Sequence, residues 1–159
     1  MHNASVPNPN LVVLASQTSA TTFRAEDCTD NRFFIFGTLG SGVLRFEVVR
    51  RLTTGEQSTI TGREFFDAMM AHFGAIVRAI EGNWSNANPE RLSNLTRFNQ
   101  ATANSRVALG TAALVATRTG QWADDLGYSK VRFILLDPDP QIDPNARGKF
   151  TKVIVHFSK

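Results

Sequence analysis

The stretch that most constrains this chain is Phe65 to Ile80. Phe65, Phe66, Met69, Met70, Phe73, Ile76, Val77 and Ile80 recur there at helical spacing as one broad apolar stripe. A helix with such a stripe is stable only if a second layer covers it. Thr61 and Glu64 have capping-box spacing, which satisfies two orphan N–H groups at the helix start. Gly82 is expected to end the helix. The fold is therefore decided by what lies on either side.

Both flanks read as strands. Leu11 to Leu14 is a short apolar run, followed by a loop with Thr18, Ser19, Thr21 and Thr22. Arg32 to Thr38 and Val43 to Arg51 flank Leu39-Gly40-Ser41-Gly42, a glycine-containing turn. In the second run Leu44, Phe46 and Val48 are expected on one face, with Arg45, Glu47 and Val49 on the other. Ser58 to Thr61 suggests a further short strand. At the other end, Lys130 to Leu136 and Lys149 to Phe157 form a β-rich pair around a proline-containing loop.

Between the flanks, Asn88-Pro89 is a good helix start and leads to Leu92, Leu95 and Phe98. An alanine-rich helix is expected over 106–116. Thr119 is expected to cap a short helix with Trp122 and Leu126 that stops at Gly127. The expected fold class is thus α+β: N-terminal strands, then three or four central helices packed on a largely antiparallel sheet, completed by a C-terminal β-hairpin. Residues 1–10, rich in Pro and Asn, read as a linker, and 11–159 as a single domain.

Composition excludes several classes. No apolar run approaches the roughly 20 residues of a membrane span. One cysteine, Cys28, excludes an internal disulfide framework and a Cys-built zinc site, and its acidic neighbours disfavour a thiolate. No His-x-x-x-His spacing exists, and prolines interrupt the acids Asp137, Asp139 and Asp143, so no metal site is expected. No P-loop is present, and no cofactor is expected. The 17 cations include 13 Arg against 14 acids, a net charge of +3. That balance permits an RNA partner without indicating one.

Two histidines are candidates for proton transfer. His156 stands near the end of the last strand on the face of Lys152 and Ile154, opposite Val153, Val155 and Phe157. A strand-end histidine near cations suits general acid–base chemistry at a phosphodiester. The alternative is an ordinary surface histidine. Lys152 lies four residues away, about 13 Å along an extended strand, so the two bracket a substrate without touching. His72 lies off the centre of the helical stripe, either facing a cleft or bonded to a nearby carbonyl. Arg24, strand-borne and followed by Ser/Thr and Glu, is the kind of arginine ADP-ribosyltransferases use to hold NAD. The Glu-x-Glu or Gln-x-Glu that completes such a set is absent.

The segments GTLGSGVLRFEV, GREFFDAMMAHFG, AIEGNW, NLTRFNQATA, TRTGQWADDLGY and GKFTKVIVHFSK run through about three quarters of the chain. Their order resembles the C-terminal effector domains of bacterial polymorphic toxins, including those of Rhs-repeat proteins. The resemblance implies delivery into a competing cell as part of a larger carrier polypeptide, action in the target-cell cytoplasm, and a cognate immunity protein as partner. The helix-then-hairpin order also resembles metal-independent ribonuclease toxins related to barnase and colicin, which place His, Lys, Arg or Glu on the sheet. That resemblance implies an endoribonuclease with His156 as acid and His72 or Glu47 as its complement. Lys152 and Arg132 would stabilise charge at phosphorus. An NAD-using transferase built on Arg24 is one alternative. Another is a non-catalytic protein-interaction domain using the apolar helix with Trp84 or Trp122.

Overall fold

A computed structural model describes residues 6–87 and 92–159. The chain is α+β, with seven strands and four α-helices among the described residues. They follow in the order β1 (Leu11–Val13), β2 (Thr22–Asp27), β3 (Asp30–Gly40), β4 (Val43–Val49), α1 (Gly62–Phe73), β5 (Ala79–Ser85), α2 (Leu92–Thr102), α3 (Leu109–Val115), α4 (Arg118–Asp125), β6 (Lys130–Asp137) and β7 (Lys152–Ser158). Neighbouring strands are ordered β1-β2-β3-β4-β5-β7-β6, mostly antiparallel, with β4 and β5 parallel. No helix is long and apolar enough to cross a membrane among the described residues. The chain divides into two compact units. The N-terminal one takes residues up to Ser41 together with Phe46–Ile76, and the C-terminal one takes Gly42–Arg45 and Val77–Lys159.

In the N-terminal unit α1 packs on β2 and β3. Phe65, Phe66, Met69 and Phe73 of the helix are buried, as are Phe23, Ala25, Phe33 and Ile35 of the strands. The predicted capping box is present at Thr61 and Glu64. The helix is shorter than the stripe suggested. It stops at Phe73 because Gly74 takes φ 57°, and its N–H closes on the Met70 carbonyl. Ile76, which matched the helical pattern, is exposed, and the chain from Ala79 is strand, not helix.

Leu44 and Val49 of β4 are both buried and, five residues apart, fall on opposite faces of an alternating strand. One further expectation for this unit needs correction. The segment 58–61 is no strand. Only an isolated bridge, Arg51 to Gln57, forms nearby. Ser58 Oγ instead accepts the Ile60 N–H and donates to buried Asp27, a local turn that competes with pairing.

In the C-terminal unit the last two strands pair as the predicted hairpin. β5 buries Ile80, Gly82 and Trp84, and β7 buries Val153, Val155 and Phe157. Helix α2 packs on β5, α3 on β6, and α4 on β5 and β7. Phe98 of α2 is central: its ring contacts those of Trp84, Phe133 and Phe150 at centroid distances of 5.8, 5.9 and 5.5 Å. Gly82 is no helix terminator. A Cβ there would lie 2.7 Å from Trp84 Cζ2, so the bare backbone makes room for the indole. The expected start at Asn88-Pro89 lies outside the described residues. Leu95 and Phe98 are buried as expected. Helix α3 begins at Leu109, later than the expected 106, and α4 is capped by Thr117 rather than Thr119.

Candidate functional site

Alternation in β5 and β7 sends the apolar side chains into the helix-covered core and leaves the other face to Glu81, Asn83, Ser85, Lys152 and His156. The register then aligns the chemistry. Glu81 of β5 stands opposite His156 of β7, and Arg132 of β6 stands opposite His156 from the other side. In the parallel pair, Val43 matches Ala79 and Leu44 matches Ile80, so Arg45 follows next to Glu81. One row thus crosses four neighbouring strands: Arg45, Glu81, His156, Arg132. All four belong to the C-terminal unit.

The Glu81 carboxylate is held at both oxygens. His156 Nε2 lies 2.9 Å from Oε1, and Arg45 Nε lies 3.2 Å from Oε2. Only 10% of the Glu81 side chain is exposed, against 21% for His156 and 49% for Arg45. A carboxylate this sheltered is stable where donors replace the water it loses. Because an ionised carboxylate only accepts, Nε2 of His156 carries the hydrogen and donates it. Arg132 is exposed and makes no ion pair among the described residues. Lys152 is half-buried, in register with Ser85 and Asp137. The chemistry available is proton donation and acceptance on adjacent strands, flanked by two guanidinium groups that recognise phosphate or carboxylate.

Charge is distributed in the same sense. The C-terminal unit carries 12 Lys and Arg against 7 Asp and Glu, net +5, whereas the N-terminal unit carries 5 against 7, net −2. The modest overall charge of +3 conceals a basic unit and an acidic one.

His72, Glu47 and Arg24 lie in the N-terminal unit. His72 Nε2 donates to the Ser19 carbonyl at 2.6 Å, and its ring packs on Phe23 and Phe73. That is the carbonyl-bonded helix-flank role. Glu47 is half-buried on β4. Arg24 pairs with Glu26 at 2.9 Å, and its guanidinium stacks 4.2 Å over the Phe34 ring. Trp84 is buried in the core, which removes it as an interface residue, and Trp122 is half-buried on α4. The structure therefore brings together His156 and Arg132, and adds Glu81 and Arg45, which the sequence reading missed. Glu81 was concealed by the supposed helix. Once Gly74 is read as the helix end, the alternation of Ile80, Gly82 and Trp84 puts Glu81 on the polar face.

The shifted carboxyls are also in the N-terminal unit. Burial raises the Asp27 pKa, but hydrogen bonds from Ser58 and Thr29 outweigh it and leave the group below its usual value. Hydrogen bonds from Arg32 lower Asp30, while Thr54 and Arg32 lower Glu56. Asp30 and Glu56 share Arg32 as a partner, while Asp27 holds the turn at Thr29 and bonds Ser58. Among the described residues no cluster of three or more His, Cys, Asp or Glu side chains is arranged to hold a metal. A scan against protein-family models, a search of curated proteins and a search of solved structures each found no match.

Proposed function

We propose that this chain is a toxin effector domain that cleaves RNA without a metal ion, using the face that carries Arg45, Glu81, His156 and Arg132. The observation that supports it most is the row itself: a carboxylate and an imidazole on adjacent strands, bracketed by two arginines. The excess of cations in the same unit favours a polyanionic substrate.

In this reading substrate separates the Glu81–His156 pair. Glu81 accepts the proton of a ribose 2′-OH, and the 2′-oxygen bonds to phosphorus. The bond from phosphorus to the 5′-oxygen breaks as His156 protonates that oxygen, leaving a 2′,3′-cyclic phosphate and a 5′-hydroxyl. Arg45 and Arg132 bear on the phosphoryl oxygens as negative charge develops there. Glu81 replaces His72 and Glu47 as the complement of His156, because it is the carboxylate that bonds the imidazole. Lys152 extends the binding surface along β7. The toxin resemblance adds a carrier polypeptide, delivery to the cytoplasm of a target cell, and a cognate immunity protein. The NAD-using alternative gains nothing from Arg24, which Glu26 and Phe34 already engage.

The test is cleavage of RNA by the purified chain in the presence of a chelator, alongside bacterial growth on expression. His156→Ala and Glu81→Gln are each expected to lower the cleavage rate by about 10²–10⁴-fold. RNA binding should weaken steeply with salt. A folded chain that leaves RNA and growth intact would overturn the proposal.

A further inference from the structure

The outer edge of β6 is the strongest feature outside this row. In the strand order β6 is terminal, with β7 on one side and no described strand on the other. Its register with β7 shifts between Phe133 and Leu135, leaving Ile134 without a β7 partner. Ile134 and Leu135 are 47% and 40% exposed. An edge with neighbouring exposed aliphatics is a template for another strand.

The strand reads Lys-Val-Arg-Phe-Ile-Leu-Leu-Asp, and laid antiparallel against itself it is self-complementary. Lys130 meets Asp137 at both ends, Val131 meets Leu136, Arg132 meets Leu135, and Phe133 meets Ile134. In a regular strand this register would fail, because Lys130 and Asp137, an odd number of positions apart, would point to opposite faces. The register shift repairs that. Lys130 and Arg132 share a face with Ser158 and His156, and Leu135 and Asp137 share that same face with Ile154 and Lys152. Val131 and Leu136 both take the opposite face, with Phe157 and Val153. Lys130 and Asp137 make no ion pair within the chain among the described residues.

We propose that β6 pairs antiparallel with β6 of a second copy of this chain. The two-fold axis stands perpendicular to the sheet, so the interface is isologous, and each face of one copy continues into the same face of the other. Two Lys130–Asp137 pairs close the ends, and Ile134 and Leu135 are covered.

Sedimentation velocity on the full chain across a concentration series tests this. The chain is expected to dimerise. Lys130→Asp or Asp137→Lys alone sets like charges opposite at both ends and weakens the dimer by about tenfold or more. The double exchange restores it. Leu135→Lys, at an exposed position, yields monomer, and circular dichroism checks that each variant is folded. A chain monomeric throughout the series overturns the proposal. So does a dimer indifferent to Leu135→Lys or to either single reversal, or one that the double exchange does not restore.

Discussion

His156 Nε2 and Glu81 Oε1 stand 2.9 Å apart across the β5–β7 pair, and the other oxygen of that carboxylate is taken by Arg45. Glu81 is therefore a sheltered charge with two donors, and the donors are energetically coupled through it. His156→Ala leaves one oxygen short of a partner, at a cost of about 1–3 kcal/mol. Arg45→Ala removes a half-exposed partner and is expected to cost less than about 1 kcal/mol. The double variant strips both, and should lose at least about 0.5 kcal/mol more than the sum of the singles. Urea denaturation of the four proteins measures the cycle; strict additivity would show that the donors act independently.

Gly82 and Trp84 occupy the same side of β5. A Cβ at position 82 would meet Trp84 Cζ2 at 2.7 Å and Val155 Cγ1 at 3.0 Å. Neither can retreat easily, since Trp84 is packed on Phe98 and Val155 is fully buried. Gly82→Ala is expected to destabilise the chain by about 1–3 kcal/mol through overpacking, despite the better strand propensity of alanine. Trp84 fluorescence should shift as the indole is displaced. An unchanged melt and spectrum would mean that the site relaxes freely.

Asp27 links acidity to stability. The residue is 2% exposed, and its carboxylate accepts from Ser58 Oγ at 2.5 Å and from Thr29 Oγ1 at 2.6 Å. Burial raises its pKa, but these hydrogen bonds prevail and hold it below the ordinary 3.8. A depressed folded-state pKa contributes stability that is full above the unfolded value and lost as pH falls through the folded one. Ser58→Ala is expected to cost about 1–3 kcal/mol at neutral pH, by unpairing a buried carboxylate. The gap from the parent chain should narrow below about pH 3.8, as Asp27 protonates. A gap that stays constant down to acid unfolding would remove Asp27 as its source.

Local signals were legible in the sequence, and those that depend on partners were not. The α1 cap, the alternation of β7 and the pairing of β6 with β7 each follow from a few neighbouring residues. The end of α1 was misplaced because Ile76, Val77 and Ile80 continue the helical spacing, although Ile76 lies in a 3-10 turn and Ile80 in β5. Gly74, whose φ of 57° suits glycine, was the deciding residue. That single error hid Glu81, and with it the reason His156 has a partner. Arg45 was visible as a strand residue. Its place beside Glu81 depends on the parallel β4–β5 register, which no local pattern encodes.

The cap of α1 gives the most direct check on the N-terminal unit. Thr61 Oγ1 accepts the Glu64 N–H at 3.1 Å, and Glu64 Oε2 accepts the Thr61 N–H at 2.7 Å. Both groups are exposed, so losing either bond returns a backbone donor to water rather than burying it unpaired. Thr61→Ala is expected to cost about 1 kcal/mol, within the range of cap removals. Thr61→Ser keeps the acceptor and should lie within about 0.5 kcal/mol of the parent. Glu64→Ala removes only the returning bond and the acid at the helix start, and should fall between them. Added salt should weaken only the charge contribution of Glu64. If Thr61→Ala and Thr61→Ser melt alike, the hydroxyl is not what holds the first turn, and the stability of α1 rests on the packing of Phe65, Phe66, Met69 and Phe73.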